Sequence, residues 1–156
     1  MYDNYRHLLG RKYVDGKQDC YGLAQGYFKD VHNLILLNFA RPTQFWEVEG
    51  YDLIHDVLPP ETWKSVGLNV KNLQIGDGLI FALYSKYANH LGVYVGNGLF
   101  IHHQYGRFSK EENLSGSWTS RMLSIVRHKE LKLVREQVDL ISLLPNHAKR
   151  TLRIDS

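Results

Sequence analysis

His90-Leu91-Gly92-Val93-Tyr94-Val95-Gly96-Asn97-Gly98-Leu99-Phe100-Ile101-His102-His103 is the stretch that decides the fold. Two apolar runs rich in strand formers flank a Gly-Asn-Gly turn, so the stretch reads as a β-hairpin. Side chains alternate along a strand, so His102 and His103 point to opposite faces and only one of them joins His90. The register decides which. A two-residue loop at Asn97-Gly98 pairs Gly96 with Leu99 and places His103 beside His90. A three-residue loop, Gly96-Asn97-Gly98, pairs Val95 with Leu99 and places His102 there. In the second register Leu91, Val93, Val95, Leu99 and Ile101 share one face, and His90, Gly92, Tyr94, Phe100, His102 and Gln104 share the other. In the first register both faces are mixed. A sheet with one clean apolar face is favoured, which predicts the three-residue loop and His102.

Outward from the hairpin, Leu79 to Leu83 is a near-continuous apolar strand after a turn at Gly76-Asp77-Gly78, with Tyr84 to Asn89 as a loop. Residues 105–118 are polar and rich in Gly and Ser, a predicted loop. Met122 to Val126 is a short strand, with Leu131 to Val134 as a possible continuation. Upstream, Leu23, Ala24, Tyr27, Phe28 and Val31 fall on one apolar stripe, which predicts a helix beginning at Cys20. Asp19 is suited to cap it, because its carboxylate can accept from the free N–H groups of the first turn. Gly22 and Gly26 cost a helix stability, so their expected use is close approach of another backbone. Residues 3–9 read as a short helix ended by Gly10, and 11–18 as a loop. Residues 33–68 read as an irregular excursion, broken by Arg41-Pro42 and Pro59-Pro60, with a short helix expected at Glu61 to Val66. Beyond lie a short apolar segment, 138–144, and a basic tail, 149–153.

A chain of 156 residues with 44% hydrophobic and 22% charged residues is most simply one globular domain with a real core. The net charge of +3 is mild and no basic run alternates with aromatics, which argues against nucleic acid as a partner. One cysteine excludes an internal disulfide. No apolar run approaches the roughly 20 residues of a membrane span. Met1-Tyr2-Asp3-Asn4-Tyr5 lacks the basic-then-apolar pattern of a secretory signal, so the chain is expected to be made in the cytoplasm.

The single cysteine stands where a loop becomes a helix, and a helix N-terminus favours the thiolate. With His90 and His102 on one face, this gives a nucleophile, a base that holds its proton as imidazolium, and a residue that orients the base. Backbone N–H groups at the helix start can serve an oxyanion. A zinc site from His90, His102 and His103 has no supporting C-x-x-C or H-E-x-x-H spacing, and neither metal nor cofactor is expected.

These residues resemble the NlpC-type papain-like cysteine peptidases, which cleave peptidoglycan stem peptides. Gly10-Arg11-Lys12-Tyr13-Val14-Asp15-Gly16 resembles the family's G-x-x-Y-x-x-G, and Asp19-Cys20-Tyr21-Gly22-Leu23 its D-C-S-G-hydrophobic motif. Leu73 to Phe81 resembles L-x-x-G-D-hydrophobic-hydrophobic-x-F, and His90 to His102 resembles H-x-G-I-Y-hydrophobic-G-N-G…H. The resemblance runs from about Arg6 to Val126. It implies an α+β, papain-like fold with an N-terminal nucleophile helix packed on a central antiparallel sheet. The peptidase domain would span 1–137, with the excursion inside it and 138–156 as an extension. It implies Cys20 as nucleophile, His90 as base and His102 as the orienting residue, with Tyr13 near the thiol and Asp19 and Tyr21 lining a substrate or oxyanion site. Tyr21 departs from the usual Ser, the loop before Asp19 is short, and His103 replaces a small residue. Within the family, Asp19 to Leu23 with Asn38-Phe39-Ala40-Arg41-Pro42, Phe45-Trp46 and Trp118…Arg121…Val126-Arg127-His128 is similar to the tail assembly proteins of long-tailed bacteriophages, the K type. That implies other tail-tip proteins as partners, stem peptide as substrate and a place at the virion tail tip. The alternatives are a non-catalytic structural or assembly protein of the tail tip, and an amidase or acyltransferase of the same fold.

Overall fold

The computed structural model describes residues 4–38, 41 and 57–133. Phe45, Trp46, Tyr51, Leu53 and Ile54 of the excursion, the segment 138–144 and the basic tail lie outside them.

Helix α1 is Cys20–His32, the length the apolar stripe predicts. Asp19 caps it with extended backbone, and its carboxylate accepts from Gly22 N–H at 2.8 Å. Leu23, Ala24, Tyr27 and Phe28 are buried along one side. Tyr27 and Phe28 are fully enclosed, and burial of a side chain of this size is worth about 1.5–3 kcal/mol. Gly22 has the predicted reason for being Gly: a Cβ there would collide with the backbone oxygen of Lys17. Gly26 differs, since its neighbour is the Leu8 side chain rather than a backbone. The N-terminal helix is a single 3-10 turn, Arg6–Leu8.

Among the described residues, six strands form one antiparallel sheet. They are β1 (Trp63–Ser65), β2 (Gly78–Phe81), β3 (His90–Gly96), β4 (Leu99–His102), β5 (Lys110–Asn113) and β6 (Met122–His128), in the order β1-β6-β2-β3-β4-β5. A short helix α2, Ser117–Arg121, leads into β6. Asp77, in the Gly-Asp turn, ties the middle of the sheet together. It is fully buried and takes Arg127 of β6 in a two-pronged pair at 2.7 and 2.8 Å.

The β3–β4 pairing has the predicted interior register, with Gly92 opposite His102, Val93 opposite Ile101 and Tyr94 opposite Phe100. The turn is a different matter. Gly96 pairs with Leu99, so the loop itself is Asn97-Gly98, both at positive φ as a tight primed turn requires. A bulge between Tyr94 and Gly96 takes up the extra residue and restores the register that puts His102 beside His90.

Three expectations need correction. Residues 61–66 are not a helix: Trp63 is drawn into strand β1 by packing on Phe28 and His128, at 5.4 and 5.1 Å between ring centres. Residues 105–118 are not all loop, since β5 pairs with β4 along its whole length and α2 begins at Ser117. The hairpin also has two covered faces rather than the single apolar one that chose its register. Every residue of β3 is buried, because Leu79, Phe81, Tyr94, Phe100, Met122 and Ile125 make a second core against which Trp118 packs. Helix α1 covers the other side, on Ile80, Leu91, Val93, Ile101 and Val126.

Candidate active site

One end of the sheet gathers the chemistry. β2 ends there at Phe81, β3 starts at His90, β4 ends at His102 and β5 starts at Lys110. His90 Nε2 lies 3.0 Å from His102 Nδ1. Both rings are locked by aromatic neighbours. His102 stacks on Phe100 at 4.7 Å and meets the edge of Trp118 at 4.6 Å, while His90 lies against Phe81 at 5.9 Å. His102 is fully buried and His90 is 4% exposed. Burial holds both imidazoles neutral. His90 lies well below its ordinary value, and His102 is pushed down to about 3 by burial and then by the Lys110 ammonium.

The pair has a third member that sequence reading passed over. His102 Nε2 is 2.5 Å from Glu112 Oε2, and Glu112 Oε1 is 3.2 Å from Lys110 Nζ. Glu112 sits on β5 opposite Phe100, one step diagonally from His102. The signal for it lay only in the pairing of β5 with β4, because Lys110-Glu111-Glu112-Asn113 has no apolar residue to mark a strand.

Cys20, at the first position of α1, meets the sheet next to this pair. Pairing of β3 with β4 stops at Gly92 and His102, and one residue along β3 the Leu91 N–H faces the Cys20 sulfur, as does the Tyr21 N–H. These contacts favour a thiolate, and so does the Arg41 charge, but they are outweighed. Burial first, then the neighbouring Asp19 carboxylate, push the thiol up to about 12. The lowered value expected from a helix N-terminus alone is therefore not the resting condition, because the thiol is only 4% exposed. No hydrogen bond joins the thiol to the His90 ring in this resting arrangement; the histidines stand among the second core, and Cys20 belongs to the first.

The three residues expected to line the site divide by their engagement. Tyr13 is beside the thiol, its hydroxyl held above its ordinary value by burial and then by Cys20 and Asp19. Its ring packs edge-on against His103 at 5.4 Å and Tyr105 at 5.2 Å. Asp19 is fully buried, with both oxygens on Arg41 at 2.6 and 2.9 Å besides the cap. Tyr21 is buried, donates to Leu37 C=O at 2.6 Å and lies under the Arg41 guanidinium at 5.0 Å. His103 turns away from the other two histidines, with its Nε2 2.9 Å from the Arg107 carbonyl.

Comparison with known proteins follows the same outline. The model of the NlpC/P60 family matches residues 9–127. The tail tip assembly protein K of Escherichia phage lambda is 32% identical over 126 residues, which are 79% of this chain and 60% of that protein. Its counterpart in Escherichia phage N15 is 29% identical over 127 residues, 80% of this chain and 51% of that protein. The chain thus spans between about half and three-fifths of the length of these relatives. Among solved structures, a lipoprotein-like NLP/P60 protein of Staphylococcus aureus superposes with a TM-score of 0.53 at 21% identity, covering 80% of this chain and 39% of that one. An NlpC/P60 protein of Bacillus cereus gives 0.50 at 18%, covering 79% and 37%. At these identities the likeness is one of fold. The family match begins ahead of the loop that leads to the thiol and ends in the last strand, so it takes in the helix and nearly the whole sheet, and on that ground the chain belongs to the NlpC/P60 family.

Proposed function

We propose that the protein is a cysteine endopeptidase of the phage tail tip that hydrolyses amide bonds in peptidoglycan stem peptides, acting in tail assembly or in penetration of the cell wall. The observation that supports this reading is a thiol at the first position of α1, set against the Leu91 N–H one residue from His90, with His90 bonded to His102. Cys20 is the nucleophile, His90 its base and His102 the residue that orients the base. The resting pair is neutral thiol and neutral imidazole, so proton transfer from Cys20 to His90 accompanies substrate entry rather than preceding it. The thiolate then adds to the scissile carbonyl. N–H groups at the start of α1, with the Tyr13 hydroxyl nearby, stabilise the oxyanion. The imidazolium protonates the departing amine, and water releases the thioester with His90 again as base. Asp19 and Tyr21, taken up by Arg41 and Leu37, shape the wall of the site rather than reaching the substrate. Delivery by a tail would bring such an enzyme to the wall.

The test is digestion of purified peptidoglycan followed by mass analysis of the soluble fragments. Stem-peptide cleavage is expected from the native chain and its loss from Cys20→Ala with an unchanged fold; equal hydrolysis by the variant overturns the mechanism. A second reading, a non-catalytic assembly protein, is favoured by the buried, protonated thiol. It expects phage carrying Cys20→Ala to assemble and infect normally.

A further inference from the structure

Protons can be counted along the chain of groups behind the thiol. A carboxylate has lone pairs and no proton to give. Two donors converge on Glu112, the Lys110 ammonium at Oε1 (3.2 Å) and the His102 ring at Oε2 (2.5 Å). A neutral imidazole has one N–H, and at His102 the carboxylate draws it to Nε2. His102 Nδ1 is then a lone pair, and the ring nitrogen 3.0 Å away, His90 Nε2, must be the donor. His90 has spent its only proton on that bond, so its Nδ1 is left as a lone pair.

We propose that Glu112 is a positioning residue that sets the tautomers of both histidines, so that His90 Nδ1 is the nitrogen free to take the Cys20 proton. The proposal rests on the peptidase reading only for the last step; the tautomers themselves belong to the resting protein. Geometry makes the setting firm. The stacked and edge-on rings of Phe100 and Trp118 stop His102 from turning over to exchange its nitrogens. Lys110 adds a direction. It lies directly opposite His102 on β5 and takes one carboxylate oxygen, leaving the other for the ring.

The direction matters for the substitution Glu112→Gln. Lys110 can only donate, so the new carbonyl oxygen turns to Lys110 and the amide NH2 turns to His102 Nε2. The ring must then accept there and carry its proton on Nδ1. His90 must accept in turn at Nε2 and carry its own proton on Nδ1, where the base is needed. The test is nitrogen NMR of the full chain labelled with 15N-histidine, with assignments from His90→Gln and His102→Gln. Both rings are expected as Nε2–H tautomers in the native protein and as Nδ1–H tautomers in Glu112→Gln. On a soluble stem peptide, kcat of that variant falls by about 10²- to 10⁴-fold with KM little changed. Adding Lys110→Met frees the amide to turn back, which restores the native tautomers and part of the rate. An Nδ1–H tautomer at His90 in the native protein overturns the proposal, as do tautomers that Glu112→Gln leaves unchanged. The native spectrum decides even where the variant does not fold. Tautomers as expected in a protein that cuts no stem peptide would sink the peptidase reading and leave the role of Glu112 standing.

Discussion

At the scale of single residues, Asp19 does most to shape the site. One carboxylate caps α1, neutralises Arg41 and stands beside the thiol, where its charge opposes ionisation of Cys20. Arg41 is one of the described residues of the long excursion, and its side chain is almost wholly buried against the start of the helix. Breaking a buried pair by removing one partner leaves a charge without its counter-ion in a poor solvent for it, at a cost of about 3–5 kcal/mol. Arg41→Ala is therefore expected to lower stability by about that amount in urea unfolding. Asp19→Asn with Arg41→Leu, which keeps a capping side chain and removes both charges, should recover much of the loss. A pair of single and double variants whose effects simply add would show that the two side chains do not act together. Much of this residue was legible in advance. An Asp ahead of an apolar stripe reads as a cap, but its ion pair with a residue 22 positions away is set by the tertiary fold and has no local signal.

At the scale of elements, the helix and the hairpin were readable because each carries a periodic apolar pattern. The stripe from Leu23 to Val31 gives α1, and the alternation along β3 and β4 chooses His102 over His103. The bulge was missed because pattern reading treats turn and register as one decision, whereas the chain combines a two-residue turn with a shifted ladder. Strands β1 and β5 were missed for want of a pattern: one has three residues, the other four polar or charged ones. With β5 went Glu112. The glycines of α1 offer a test at this scale. Gly→Ala in a helix interior is worth up to about 1 kcal/mol in favour of Ala. At Gly22 the new Cβ meets the Lys17 backbone, which cannot yield without moving the loop that leads to the thiol. At Gly26 it meets the tip of the flexible Leu8 side chain. Gly22→Ala is expected to be the more destabilising by at least about 1 kcal/mol, read from denaturant midpoints. A Gly26→Ala protein that proves the weaker of the two would refute that ordering.

At the scale of the whole molecule, sequence reading reaches the α+β class, the order of helix and sheet, and the pairing of His90 with His102 at the sheet end. It does not reach the second core, since Trp118 belongs to α2, a helix too short to show a period. That core and the first one keep imidazoles out of water, and the result is a dependence of folding on pH. Burial depresses five described histidines, His32, His90, His102, His103 and His128, with His32 at about 4 and His102 at about 3. In the unfolded chain each takes a proton below about pH 6.5, so the unfolded state binds more protons than the native one and stability falls as acid is added. Cys20 acts at the other end. Its native value of about 12 lies above the unfolded one of about 8.5, so its contribution is complete below pH 8.5 and is lost as pH rises from there. Thermal unfolding should show a plateau between about pH 6.5 and 8.5. Cys20→Ala should flatten the limb from 8.5 to about 10, where unfolded tyrosines begin to ionise. A melting temperature constant from pH 6.5 down to 4.5 would contradict this account. Unfolding in acid is thus coupled to uptake of several protons, and between about pH 6.5 and 4.5 the slope of stability against pH reflects how many imidazoles the native fold shelters.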